Sequence, residues 1–153
     1  MKGLYTEKII NKVKIEEIND IVELIKGVKL QSISVEQFHE KSEEYDRAYD
    51  VYKISFENQS HILKKSNDYE IEVYENILRD KGLPVPEYLG SITEGKQQWI
   101  LLQYIAGEDL RNFNEEMAVG CADSLAQIFN LYWQEDEFAE KKLDNRFRGI
   151  RQG

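Results

Sequence analysis

The sequence predicts an α+β domain. Its centre is a five-stranded antiparallel sheet with one helix between the third and fourth strands, preceded by an N-terminal helix and followed by C-terminal helices. Three observations predict this. Five runs are rich in β-branched and aromatic residues and are joined by short polar links. Three other runs carry apolar residues three and four positions apart, the period of a helix face. Glycines, prolines and asparagines cluster at the joints between the runs.

The first helix is expected from about Thr6 to Lys26, with Ile15, Ile18, Ile21, Val22 and Ile25 along one face and Gly27 as its stop. Val28 to Phe38 alternates apolar and polar residues and reads as the first strand. The charged stretch HEKSEEYDR then reads as a loop, and AYDVYKISF as the second strand. Glu57, Asn58 and Gln59 offer a turn into the third strand, SHILKK. Asn67 or Asp68 can cap the next helix, whose face carries Ile71, Tyr74, Ile77 and Leu78. Gly82 suits its end, and Pro84 and Pro86 prevent continuation. EYLGSIT and QQWILLQYI are the last two strands, turning at EGK. From about Glu115 to Trp133, a stripe of Met117, Cys121, Leu125, Ile128, Phe129 and Tyr132 reads as a helix. The chain thus divides into an N-terminal helix (1–27), a sheet-bearing lobe (28–106) and a helical segment (107–153).

Composition narrows the function. With 153 residues, 41% of them hydrophobic, the chain can build one modest core. A net charge of −9 argues against nucleic acid or an anionic membrane as general partner. Cys121 is the single cysteine, so no intrachain disulfide and no cysteine-based zinc cluster can form. His39 and His61 have no partner at metal-ligand spacing. The N-terminal stretch is interrupted by charge throughout, unlike a signal peptide, and no apolar run approaches the roughly 20 residues that span a bilayer. A cytoplasmic protein is expected.

Chemistry concentrates where the third strand ends. Successive strand residues point to opposite faces, so only one of Lys64 and Lys65 can face a given side. In the helix that follows, Glu70 shares a face with Tyr74 and Ile77, whereas Glu72 projects with Asn76 and Arg79. Because the apolar face packs on the sheet, Glu70 is the glutamate aimed inward. Two roles remain open for it. Asn67 and Glu70 have capping-box spacing, in which Glu70 satisfies a backbone N–H. Alternatively, Glu70 pairs with the neighbouring lysine.

Four stretches in this order resemble the nucleotide-binding lobe of the aminoglycoside phosphotransferase and choline kinase family, which has a protein-kinase-like fold. They are YDVYKISFENQSHILKK, YEIEVYENILRDKGLPVPEYLG, WILLQYIAGEDL and CADSLAQIFNLYW, covering about Ile33 to Trp133. The resemblance implies binding of ATP or GTP with Mg2+ and transfer of the γ-phosphate to an alcohol, such as an aminoglycoside or choline-like hydroxyl. Lys64, preceded by an apolar residue, would position the phosphates, with Glu70 orienting it and Lys65 facing solvent. The base would meet backbone groups near the end of the last strand, Gln103 C=O and Ile105 N–H. Ser42 would donate to phosphate from the loop between the first two strands.

Two departures accompany the resemblance. That loop has no glycine and carries Glu43, Glu44 and Asp46. The family's His-Gly-Asp catalytic sequence does not occur after Trp133; Asp144 and Asn145 stand there without it. The chain alone is therefore expected to be inactive in phosphoryl transfer, and a small-molecule acceptor is expected only for a longer form. A degenerate lobe serving as a non-catalytic binding or regulatory module is the second reading, and an unrelated α+β domain the third. Self-association is expected through the 115–133 helix. Trp99, Trp133 and Cys121 read as packing residues, and Arg146, Arg148 and Arg151 as a small basic tail.

Overall fold

The computed structural model describes residues 3–107 and 114–132. Trp133, Asp144, Asn145 and the three tail arginines lie outside the described residues. In chain order the elements are β1 (Gly3–Lys8), α1 (Lys12–Lys26), β2 (Ser34–Lys41), β3 (Asp46–Phe56), β4 (Gln59–Ser66), α2 (Asp68–Glu72), a π-helical turn (Val73–Leu78), β5 (Tyr88–Glu94), β6 (Gln97–Gln103) and α3 (Glu115–Tyr132). The chain is α+β, and among the described residues six strands form one antiparallel sheet in the order β1-β2-β3-β4-β6-β5.

The expected five-stranded arrangement is corrected in two respects. An additional strand, β1, takes in Thr6 to Lys8, expected to start the first helix, and the residues just before them; it pairs with β2 from Gly3↔Lys41 to Lys8↔Glu36. The third and fourth strands of the six have no helix between them. Glu57 and Asn58, at φ 51° and 60°, close a tight turn from β3 to β4. The helical segment comes after β4 and before β5.

Local chemistry explains these boundaries. Asn11 sits in extended conformation, and its Oδ1 accepts from Val13 N at 3.0 Å and Lys14 N at 3.2 Å. This cap starts α1 at Lys12, leaving the tyrosine and threonine of β1 free to pair as a strand. Gly27, at φ 70°, ends α1, and its N–H donates to Glu23 O at 2.7 Å.

The next residues are held by the helix end. Glu23 Oε1 accepts from Leu30 N at 3.0 Å, and Glu23 Oε2 meets Lys29 Nζ at 3.0 Å. The following strand therefore begins at Ser34 instead of Val28. It continues to Lys41 because its charged end is matched across the ladder, Glu40 against Arg47 and Lys41 against Asp46.

The chain separates into two compact units: residues 1–71 with 86–105, and residues 72–85 with 106–153. The first contains the sheet and α1. Ile18, Ile21 and Val22 of α1 pack with Val35, Tyr52, Ile54, Phe56, Leu63, Trp99 and Leu101, all from one sheet face. Each such side chain contributes roughly 1.5–3 kcal/mol when fully buried. Gly90, a bulge residue of β5 at φ 147°, lets α1 approach closely, because a Cβ there would lie 2.7 Å from Ile25 Cγ2. In the second unit, the Tyr132 hydroxyl of α3 donates to Ile77 O in the π-helical turn. Among the described residues no helix is long and apolar enough to cross a membrane.

Candidate functional site

The register defines the face opposite α1. Val51, Lys64, Ile100 and Ser91 stand in one cross-strand row. Lys53, Ile62, Leu102 and Tyr88 form the adjacent row on the same face. Apolar side chains thus surround Lys64 on three strands. Their only sequence sign is alternation, which places Val51 and Ile62 with Lys64 once the register is known.

Lys64 leaves the sheet at the C-terminal end of β4, beside the first turn of α2. Its Nζ lies 2.7 Å from Glu70 Oε1, with both side chains about one-third exposed or less. The second carboxylate oxygen, Oε2, accepts from Ser66 Oγ at 2.7 Å. Asn67 Oδ1 accepts from Glu70 N at 2.8 Å, which is one half of a capping box. In place of the reciprocal half, the Glu70 carboxylate meets Lys64 and Ser66. The α2 start is further held by Asp68, whose Oδ1 accepts from Gln98 Nε2 on β6. These contacts fix the pair from the helix and the sheet at once.

Lys65 has a different environment. Its Nζ is 3.3 Å from Asp50 Oδ2 and 5.7 Å from the centre of the Trp99 ring, on the α1 side. Lys53, although on the Lys64 face, is held over the Tyr104 ring at 4.4 Å and lies 4.0 Å from Glu36 Oε2.

The other sequence candidates are not gathered around Lys64. Ser42 belongs to the turn between β2 and β3, where its Oγ accepts from Glu44 N and Tyr45 N, each at 3.1 Å. That turn begins where Lys41 faces Asp46. About 17 Å of strand separates this point from the Val51–Lys64 pair. Gln103 ends β6; its N–H donates to Glu87 O at 2.9 Å, and its Oε1 accepts from Glu87 N at 3.2 Å. Ile105 lies just past the strand end and is 57% exposed. Trp99 is buried in the core, whereas Cys121 is exposed, contrary to its expected burial on an α3 stripe. The reason is that α3 buries Tyr132 while leaving Val119, Leu125 and Phe129 exposed.

A second polar feature lies at the other end of β4. His61 is only 6% exposed and stacks on Phe56, with ring centres 4.5 Å apart. Its Nδ1 is buried without a hydrogen-bond partner. Burial and the nearby Lys26 ammonium push His61 below its ordinary pKa, with Glu57 acting in the opposite sense. His61 also borders a cavity of about 360 Å³ with Glu87, Leu89, Gln103 and Tyr104. The sequence contained no sign of this burial beyond the alternation of β4.

Among the described residues, no group of three or more His, Cys, Asp or Glu side chains is arranged to hold a metal ion. Comparison of the chain with protein-family models, with curated proteins and with solved structures finds no match.

Proposed function

We propose that this chain is a cytoplasmic nucleotide-binding module of the phosphotransferase kind, taking ATP or GTP through its phosphates. The single observation that carries this reading is the 2.7 Å pair between Lys64 Nζ and Glu70 Oε1. A nucleoside triphosphate concentrates negative charge, and a flexible lysine serves it best when a carboxylate fixes the direction of the ammonium. The half-buried side chains of Val51 and Ile62 beside Lys64 offer a base a place to leave water. Gln103 C=O and Ile105 N–H are the proposed contacts for the base edge. Magnesium enters as a ligand of the nucleotide phosphates; these residues do not supply a set of ligands for it, and no step is assigned to it.

Transfer to an alcohol acceptor, such as an aminoglycoside or choline-like hydroxyl, would need a base and metal ligands that these residues do not supply. A second reading, a non-catalytic binding or regulatory module, is favoured by the turn between β2 and β3. The Ser42 hydroxyl already serves that turn, and Glu43 and Glu44 stand beside it. Ser42 is accordingly the weakest phosphate contact of the proposed set.

Thermal unfolding with Mg-ATP and Mg-GTP tests the reading. Wild type is expected to gain stability as ligand rises above Kd, and Lys64→Ala to lose that gain. No gain in wild type with either nucleotide refutes nucleotide binding.

A further inference from the structure

Ser66 plays no part in the sequence-level picture of the site, yet it touches the carboxylate on which that site depends. It lies two residues beyond Lys64 on β4, so both side chains leave the same face of the strand. Glu70 is then shared: Oε1 lies 2.7 Å from Lys64 Nζ, and Oε2 accepts from Ser66 Oγ at 2.7 Å. The backbone N–H of Glu70 is held separately by Asn67 Oδ1 at 2.8 Å.

These contacts divide the work among three groups. Asn67 fixes where the residue starts. The side-chain torsions remain free of that contact, and the last of them, which turns the carboxylate, is broad and has no strong intrinsic preference. A donor on one oxygen removes that freedom and sets the direction in which the other oxygen presents its lone pairs.

We propose that Ser66 is a positioning residue. By holding Glu70 Oε2 it aims Oε1 at Lys64 and so sets the direction of the Lys64 ammonium toward the phosphates. This inference rests on the nucleotide-binding reading for its purpose, but the coupling of Ser66 to Glu70 stands apart from it. Ser66 touches neither nucleotide nor reacting atoms; it acts only through Glu70.

A double-mutant cycle on the full chain tests this, with Mg-ATP and Mg-GTP as probes. Ser66→Ala is expected to weaken nucleotide binding about five- to tenfold in the wild-type background and to have no further effect in Glu70→Ala, which leaves Ser66 no acceptor there. Ser66→Thr, which retains the hydroxyl, is expected to restore binding. If Ser66→Ala fails to fold, Ser66→Cys supplies the same comparison, since a thiol keeps the size but is a weak donor.

An equal loss from Ser66→Ala in both backgrounds overturns the proposal, because Ser66 would then act without Glu70. If wild type binds neither nucleotide, the nucleotide reading fails, and the same cycle is read on thermal unfolding of the free protein. Coupling between Ser66 and Glu70 there supports the orienting contact, and additivity overturns it.

Discussion

At the scale of single residues, the two adjacent lysines of β4 separate by face. Lys64 meets Glu70, while Lys65 meets Asp50 beside Trp99. A one-residue step reverses the side of the sheet, so the two positions meet different partners despite equal chemistry. Lys65→Ala is therefore expected to retain the nucleotide-dependent stabilisation that Lys64→Ala loses, as read by the shift in Tm with Mg-ATP. Equal losses from both substitutions would show that general positive charge, rather than the oriented pair, is responsible.

His61 supplies a second prediction at the same scale. Burial and Lys26 keep its folded pKa below the ordinary 6.5. Between the two values, the unfolded chain binds a proton that the folded imidazole refuses, so stability falls as pH drops below 6.5 toward the folded pKa. Denaturant unfolding at about pH 7.5 and pH 5.5 should show this loss, and His61→Phe, which can keep the stack on Phe56, should reduce it. An unchanged pH dependence in His61→Phe would remove His61 as a cause.

At the scale of elements, the contact of α1 with the sheet depends on a missing side chain. Gly90 combines φ 147° with a site where a Cβ would meet Ile25 Cγ2 at 2.7 Å. Gly90→Ala must shift α1 or distort β5, and a loss of about 1–3 kcal/mol is expected in equilibrium unfolding. No measurable loss would mean that Ile25 and the bulge relax freely. The edges of this same interface are covered by lysines of α1. Lys14 lies 5.5 Å from the Tyr52 ring centre and Lys26 5.7 Å from that of Phe56, covering apolar surface with long stems while the charge stays near water.

At the scale of the whole molecule, α3 is the least satisfied element. Leu125 is 56% exposed and Phe129 64%, on neighbouring turns of one helix. We expect this face to drive self-association, which should strengthen with salt because the chain carries a net charge of −9. Sedimentation of wild type and Phe129→Ser provides the measurement. A monomer at all concentrations in wild type would refute the expectation, and a monomer only in Phe129→Ser would support it.

Local patterns in the sequence were sufficient to locate most helices and strands, because amphipathic period and alternation are written in nearest neighbours. The apolar face of α1 and the stop at Gly27 are examples. Alternation separated Lys64 from Lys65, and helical spacing separated Glu70 from Glu72, for the same reason. Pairing is non-local and escaped this reading. β1 became a strand because β2 was available as its partner, and Glu40 and Lys41 became strand because Arg47 and Asp46 matched their charges. The capping spacing of Asn67 and Glu70 admitted two arrangements of the carboxylate. Only tertiary structure decided between them, by bringing Lys64 and Ser66 to its two oxygens from a strand the helix does not belong to.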